Sequence, residues 1–233
     1  MQNSAPPDRD EETRRQRGRP RAFDRTAVLA RATCLFWTKG FEATSIADLI
    51  EATGIGAPSL YAAFHSKEAL YAEALRFYAE TQEGKVWTGF RTAVTAREAV
   101  RRYLMDSSVS LTAESGGAGR GCMVTLSSVD SEGHAELGAL VRTARAETFK
   151  RLTARLARAV EEGEVPASTD LDALARFIQT VQNGMSILAR DGANCAELEA
   201  VAEIAMAGWD ARITPTVPPS NETETNAISR RSS

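Results

Sequence analysis

The sequence predicts an all-α protein, and three observations carry that prediction. Apolar residues recur at intervals of three and four along most of the chain, which is the period of an amphipathic helix. Residues that favour helix N-caps stand directly before several of these stretches. No stretch of the sequence combines alternating apolar residues with the turn residues that flank β-strands.

The first predicted helix runs from Asp24 to Gly40. Asp24 is a suitable N-cap, because its carboxylate accepts hydrogen bonds from the free N–H groups of a first turn. Gly40 is a suitable residue for the end of the helix. The apolar residues fall on one face, which predicts that this face packs inward: Val28, Ala32, Leu35 and Phe36.

The stretch 44–67 predicts two short helices around a glycine turn. Ser45 and Asp48 have the spacing of a capping box, so a helix begins there. Gly54 interrupts the apolar pattern where a left-handed residue is needed, and a second helix follows with Pro58 in its first turn. Helix-turn-helix units of this size place the second helix in the DNA major groove, although many helical hairpins share the spacing.

The rest of the chain predicts a series of longer helices. Their apolar stripes include Leu140 and Leu188, which are expected to point inward. The polar ends of the chain, 1–20 and 214–233, are expected to be disordered. Six helices are expected in this part. The first begins near Ser66, and the next two span about 95–113 and about 122–129, with a loop at 115–121 between them. The last three span about 132–162, run from Asp170 to Gly192 and pass through 198–209.

Positive charge is concentrated near the N-terminus. Residues 14–67 contain nine Lys and Arg against four Asp and Glu, although the whole chain has a formal charge of −3. A basic module on an acidic body indicates binding to a polyanion. An arginine run by itself is equally typical of a solvated tail. Before a helix-turn-helix it is better interpreted as an arm along DNA, in which Arg17 and Arg19 enter a narrow minor groove.

A specific combination of residues lies between Phe23 and Tyr71. It consists of Phe36-Trp37-Thr38-Lys39-Gly40-Phe41, Thr44-Ser45-Ile46, Leu49, Gly54, Ser59-Leu60-Tyr61, Phe64, Ser66-Lys67-Glu68 and Leu70. This combination resembles the N-terminal domain of TetR/AcrR-type transcriptional regulators. The resemblance implies an N-terminal three-helix DNA-binding domain joined to a C-terminal helical domain for ligand binding and dimerisation.

We therefore expect a basic arm at 1–20, a DNA-binding domain at 21–68, a regulatory and dimerisation domain at 69–213 and a tail at 214–233. The resemblance implies that small residues of the second motif helix face DNA, with Tyr61 and Lys67 at phosphates. No Arg, Asn or Gln stands on that face, so direct base contacts are sparse. The predicted DNA-binding residues are Arg17, Arg19, Arg21, Thr44, Ala57, Ser59, Tyr61, Ala63, His65 and Lys67.

The same resemblance implies a homodimer, a palindromic double-stranded operator and a small-molecule effector. The last two helices have the length and apolar stripes to pair with their copies, with burial inside one subunit as the alternative. For the effector pocket we expect an aromatic lining with polar anchors, although each aromatic residue also suits an ordinary core. The candidates are Phe77, Trp87, Phe90, Tyr103, Cys122, Met123, Phe149 and Phe177, with Gln179, Gln182 and Asn183 as anchors.

Cys122 follows Arg120-Gly121, and this placement resembles a TetR-type branch that includes electrophile and oxidant sensors. A neighbouring arginine or helix N-terminus favours the reactive thiolate. The hypothesis is that Cys122 is a thiol switch. The alternative is a small buried residue that packs the start of a helix.

Other classes of function receive little support. The chain has two histidines and neither a paired-histidine nor a Cys-x-x-Cys metal spacing, and the glycine-rich run 116–121 lacks the Lys-Ser/Thr of a phosphate-binding loop. We therefore expect no catalytic residue, metal or cofactor. We also expect a cytoplasmic protein, because the sequence has no membrane-length apolar run, no apolar signal segment and only three scattered cysteines. The remaining alternative is a helical ligand-binding or adaptor protein with a vestigial DNA-binding domain.

Overall fold

The structure is a computed structural model that describes residues 23–112, 120–130 and 132–213. Every regular element in those ranges is helical, which confirms the all-α prediction. The elements are α1 (Arg25–Lys39), α2 (Ile46–Thr53), α3 (Ala57–Phe64), α4 (Lys67–Gln82), a π-helical turn (Glu83–Trp87), α5 (Thr88–Thr92), α6 (Ala96–Thr112), α7 (Met123–Leu126), α8 (Ala135–Glu161), α9 (Leu171–Arg190) and α10 (Cys195–Ile213).

The helix ends follow the capping residues of the sequence. The Asp24 carboxylate accepts from the N–H groups of Thr26 and Ala27. Ser45 forms a reciprocal capping box with Asp48. Local hydrogen bonds therefore fix where α1 and α2 begin.

Two features differ from the sequence expectations. A π-helical turn and the short helix α5 lie between α4 and α6, where no element was expected. Gly89 allows this packing, because a Cβ there would lie 2.6 Å from a carboxylate oxygen of Asp106. Leu140 and Leu188, expected to point inward, are 40% and 45% exposed, because α8 and α9 each turn part of their apolar stripe away from the subunit core.

The buried apolar residues form two clusters. One lies in the C-terminal part of the chain, where α6, α8, α9 and α10 pack together. The other joins α1–α4 and continues into α7 and α8 through Met123, Leu137 and Val141. The N-terminal helices therefore share a core with the segment that follows residue 120.

None of the helices in the described ranges is long and apolar enough to cross a membrane. Those ranges also contain no cluster of three or more His, Cys, Asp or Glu side chains that could hold a metal ion.

Candidate DNA-binding surface and ligand cavity

The α2–α3 hairpin has a buried inner face and an outer face that carries polar and small side chains. Leu49, Leu60 and Phe64 are at most 3% exposed. Gly54 adopts the left-handed conformation at the end of α2, with φ of 74°. On the outer face, Tyr61 is 44% exposed, whereas Ala57 and Ser59 are half-buried. The Tyr61 ring therefore points away from the core, as the sequence predicted.

Arg25 and Arg31 anchor this hairpin to α1, a role that sequence reasoning missed. The Arg25 guanidinium donates to both carboxylate oxygens of Glu73 at 2.8 Å and lies 4.3 Å from the centre of the Phe64 ring. Arg31 donates to the carbonyl of Thr53 at 3.1 Å, at the end of α2. The sequence shows only the positive charge of the two residues, because their partners are 22 or more residues away along the chain.

The structure corrects the prediction for Thr44. Its side chain is fully buried, and its hydroxyl donates to the carbonyl of Gly40 at 2.6 Å. Its backbone N–H donates to the carbonyl of Phe41 at 3.2 Å. Both donors are therefore used inside the α1–α2 turn, and neither is left for a phosphate.

The end of α3 and the start of α4 carry three more predicted residues. Ala63 packs partly against the N-terminal core, and its carbonyl accepts from Arg25 at 3.2 Å. His65 is exposed and ends α3 with φ of 68°, a left-handed value that is uncommon outside glycine. The Lys67 ammonium lies 4.2 Å from the centre of the Phe41 ring. Arg17, Arg19 and Arg21 lie outside the described residues, as do both chain ends.

A cavity of about 180 Å³ lies between α4, α6, α8 and α9. Aromatic side chains form part of its wall, with the rings of Trp87 and Tyr103 4.8 Å apart. Amide side chains from α9 form another part. Of the residues predicted for a pocket, the lining contains Trp87, Tyr103, Cys122, Gln179, Gln182 and Asn183.

The other predicted pocket residues lie elsewhere, because helical spacing does not show which interior a side chain enters. Met123 and Phe77 belong to the N-terminal core. The Arg176 guanidinium covers Phe149 at 3.8 Å. Phe90 is buried in the C-terminal core, whereas Phe177 is 45% exposed. The prediction that these five residues line the cavity is wrong.

The structure adds charged residues to the cavity wall that the sequence did not indicate. Arg151 forms ion pairs with Glu83 at 2.6 Å and with Glu147 at 3.2 Å. Arg145 donates to the backbone carbonyls of Val124, Thr125 and Ser127 at 2.9 to 3.2 Å. Only the Arg151–Glu147 spacing of four residues was visible in the sequence.

Residues 120–122 form a strap that connects the cavity to α1. The indole N–H of Trp37 donates to the carbonyl of Gly121 at 3.0 Å. Arg190 donates to the carbonyls of Arg120 and Trp37 at 2.8 and 2.9 Å. The N–H of Cys122 donates to Ser186 at 2.8 Å, and the Cys122 side chain lines the cavity. Helix α9, the strap and the DNA-binding helices are thus joined by hydrogen bonds.

Burial dominates the acid–base properties of the two tyrosines beside Cys122. Burial raises the pKa of Tyr78 well above its ordinary value, and the neighbouring Cys122 sulfur raises it further. Burial also raises the pKa of Tyr103, again with a smaller contribution from Cys122. Both phenols are therefore neutral at physiological pH.

Helices α9 and α10 expose a continuous apolar face. Phe177, Ile187 and Leu188 on α9 are 45 to 51% exposed, and Ile204 on α10 is 74% exposed. A Cβ at Gly208 would lie 3.9 Å from the Phe177 ring, so the two helices meet along this face. Ala189, Ala202 and Ala205, which are small residues of the same two helices, are buried inside the subunit and do not belong to this face.

Residues 28–74 match the family model of bacterial regulatory proteins of the tetR family. The chain is also 34% identical over 198 residues to the HTH-type transcriptional repressor ComR of Escherichia coli K12, covering 84% of this chain and 93% of ComR. The chain belongs to the TetR family. This confirms the resemblance found in the sequence, and the protein is a TetR-type transcriptional regulator.

Two further TetR-family comparisons agree. The HTH-type transcriptional repressor BdcR of Escherichia coli K12 is 31% identical over 193 residues, covering 82% of this chain and 90% of BdcR. A cysteine mutant of the TetR family regulator CifR, solved in complex with 26-bp double-strand operator DNA, is 39% identical with a TM-score of 0.76. That alignment covers 82% of this chain and all of the CifR chain.

Proposed function

We propose that this protein is a homodimeric repressor that binds a palindromic double-stranded operator and leaves it when a small molecule occupies the cavity. The observation that carries the proposal is the α2–α3 hairpin, which is anchored to α1 through Arg25 and Arg31 and directs Tyr61 outward. Its relatives ComR and BdcR are named as repressors, and CifR was solved on operator DNA. A protein with this role works in the cytoplasm and needs no catalytic group.

In the proposed complex, α3 lies in the major groove. Ser59 and Tyr61 provide the polar contacts, while Ala57 and Ala63 allow close approach to thymine methyl groups. His65 and Lys67 lie at the end of the hairpin near the phosphate backbone. Arg17 and Arg19 supply charge from a basic arm at 1–20, and Arg21 supplies it directly after the arm. The other proposed units are a DNA-binding domain at 21–68, a regulatory and dimerisation domain at 69–213 and a tail at 214–233.

The exposed face of α9 and α10 supports the homodimer. Isolated exposed apolar residues are ordinary, but this face places Phe177, Ile187, Leu188 and Ile204 along two adjacent helices. A second copy covers the same face by two-fold symmetry, which forms a four-helix arrangement. Two recognition helices then match two half-sites of a palindrome.

The strap provides a route for release. A molecule in the cavity contacts Cys122, whose neighbour Gly121 is hydrogen-bonded to Trp37 of α1. Displacing the strap or tilting α4 moves the α2–α3 hairpin relative to its copy in the dimer. Release requires that the effector binds the displaced state more tightly than the DNA-bound state.

Cys122 itself supports a thiol-switch version of the same mechanism. Its thiol adds to a ring carbon of a quinone, so that a carbon–sulfur bond forms and the thiol proton passes to the reduced ring. The test is operator affinity with and without quinone in the wild type and in Cys122→Ser. Equal loss of binding in both proteins would remove Cys122 from the mechanism.

A second candidate function follows from the small side chains on the outer face of α3, which cannot form bidentate base contacts. In that case the protein is a helical ligand-binding or adaptor protein with a vestigial DNA-binding domain. Fluorescence anisotropy against duplex fragments from the neighbourhood of its own gene, titrated with salt, separates the two. The repressor binds one fragment preferentially with dimer stoichiometry, whereas the adaptor binds none even at low salt.

The matched variant for this assay is Arg17→Ala with Arg19→Ala. We expect weaker binding to operator and non-operator DNA alike, because each lost phosphate contact lowers the slope of log affinity against log salt by about 0.9. An unchanged slope would show that the arm does not lie on DNA.

A further inference from the structure

Two hydroxyl groups of α6 lie at the cavity wall, and neither has a hydrogen-bond partner among the described residues. Tyr103 is 2% exposed and makes no hydrogen bond to the described residues, although a buried tyrosine hydroxyl usually has a partner. Ser107 is 1% exposed, and its Oγ is buried without a partner. The two residues are four apart on one helix, so their side chains are neighbours.

Gln182 adds a third polar group to the cavity, from α9. Its amide makes no hydrogen bond to the described residues, whereas the nearby Gln179 donates to the carbonyl of Arg145 at 2.9 Å and Asn183 accepts from Thr125 at 3.1 Å. Buried polar groups without partners cost free energy until something pairs with them, which applies to Tyr103 and Ser107. Gln182 is half-buried and lines the same cavity, so these three groups are candidates to bind a ligand.

The charges at the wall are already matched within the protein. Arg151 is paired with Glu83 and Glu147, and Arg145 is surrounded by three backbone carbonyls. The four ionised residues of the lining are two Arg and two Glu, so their formal charges cancel. A carboxylate would meet Arg145, whose Nε and Nη2 groups already donate to carbonyls, and an ammonium would compete with Arg151 for Glu83 and Glu147. A charged ligand would therefore recover little of the hydration it loses.

The size and shape of the cavity suit one ring. Its volume of about 180 Å³ is slightly larger than the roughly 150 Å³ of an engineered apolar cavity that binds benzene. The Trp87 ring packs against that of Tyr103 at 4.8 Å and lies 4.9 Å from the Arg151 guanidinium. With Val86 and Leu111, these rings give the cavity an apolar and aromatic wall against which a ring can pack.

We propose that the cavity binds a small uncharged aromatic molecule with one ring and one hydrogen-bonding substituent. The ring packs against the apolar and aromatic side chains of the wall, and the substituent pairs with Gln182 and the hydroxyls of Tyr103 and Ser107. This assignment rests on the effector site proposed above and defines the chemical class of its ligand.

Benzamide, benzoate and benzylammonium are matched probes, because they carry one ring of the same size and differ mainly in charge. Binding to the full-length protein is measured by calorimetry and by ligand-observed NMR. We expect benzamide to bind roughly tenfold or more tightly than either ion, since the ions pay the desolvation of a full charge. Equal or tighter binding of benzoate or benzylammonium would overturn the neutral class, and no binding of any probe would overturn the single-ring ligand.

Three variants test the site. Tyr103→Phe and Gln182→Leu keep the size of the side chain and each remove one polar group, so benzamide should bind about fivefold more weakly to each. Tyr71→Phe is the control, because the Tyr71 hydroxyl is bonded to Ser127 at 2.9 Å and does not line the cavity. Unchanged affinity in both cavity variants, or an equal loss in the control, would overturn the placement.

Operator binding is then measured with benzamide present, which separates the two proposals. A ligand of the right class that reaches the effector site weakens operator binding. Tight benzamide binding that leaves operator affinity unchanged would uphold the ligand class and contradict release through this cavity. Failure of all three probes would contradict the ligand class while leaving the DNA-binding proposal intact.

Discussion

The helix ends of the α2–α3 hairpin and the wall of the cavity differ in how far apart their hydrogen-bonded residues lie along the chain. In the hairpin, Ser45 caps α2 through Asp48, three residues away, and the His65 N–H donates to Tyr61, four residues away. At the cavity, Cys122 is bonded to Ser186, 64 residues away, and Gly121 to Trp37, 84 residues away. Local hydrogen bonds set the helix ends of the surface proposed to read DNA, and Arg25 and Arg31 of α1 reach it from further along the chain. The proposed sensor depends on distant hydrogen bonds.

The two regions should therefore respond differently to substitution. Exposed residues of the hairpin can change with little effect on folding, because few other residues depend on them. Residues of the strap join three parts of the chain, so a change there disturbs all of them. The following predictions test this contrast, from the largest expected effect to the smallest.

Gly121→Ala should be the most destabilising change. Gly121 has φ of 78°, and a Cβ there would lie 2.5 Å from the backbone carbonyl oxygen of Ser186. Strain and overlap together should lower the free energy of unfolding by about 3 kcal/mol, measured by urea denaturation. Gly163→Ala is the control, because Gly163 has φ of 77° and nothing within 4 Å, so it carries the backbone strain alone. Equal losses in both variants would show that the strap is not tightly packed.

Tyr61→Ala should act on DNA and leave stability almost unchanged. The side chain is 44% exposed, and loss of a hydrogen bond to a phosphate should weaken operator binding by about 2 kcal/mol. Tyr61→Phe keeps the ring, so it gives the contribution of the hydroxyl to operator affinity. Fluorescence anisotropy measures the affinity for the operator, and thermal unfolding measures the stability of each variant. A large fall in melting temperature with normal DNA binding would reverse the assignment.

Trp37→Phe should lower the free energy of unfolding by about 1 kcal/mol, because the carbonyl of Gly121 loses the indole N–H that donates to it at 3.0 Å. Trp209→Phe is a matched control, since Trp209 is also buried and makes no hydrogen bond to the described residues. Urea denaturation gives the free energy of unfolding of the two variants for comparison. If the Trp37 variant is no less stable than the control after correction for packing, the hydrogen bond does not stabilise the strap.

Asp48 should give a small pH dependence at the hairpin. Hydrogen bonding to Lys39, followed by the contacts of the capping box with Ser45, lowers the pKa of Asp48 from 3.8 to about 2. Because the pKa is lowered on folding, the stabilisation is present above about pH 4 and is lost as the pH falls towards 2. Asp48→Asn should flatten this part of the stability profile, measured by thermal unfolding between pH 2 and pH 5. An identical profile in the variant would assign the dependence to other carboxylates.

Sequence reasoning was most successful where the cause of structure is local. Capping residues gave the starts of α1 and α2, and helical spacing gave the orientation of Tyr61. It was wrong for Thr44, whose hydroxyl and N–H are used within its own turn. It was also wrong for Met123 and Phe177, because apolar character does not show which core or surface a residue joins.

Caps, turn residues and periodicity act within a few residues of one another, so the all-α class, the helix-turn-helix unit and the family follow from the order of the amino acids. The three-dimensional fold sets which polar groups meet at the cavity, and it connects Gly121 of the cavity strap to Trp37. Those contacts join residues that are tens of positions apart, and their geometry is set by how the helices pack. Within the part of the chain that the structure describes, the packing also leaves Tyr103, Ser107 and Gln182 without hydrogen-bond partners, which no local pattern records.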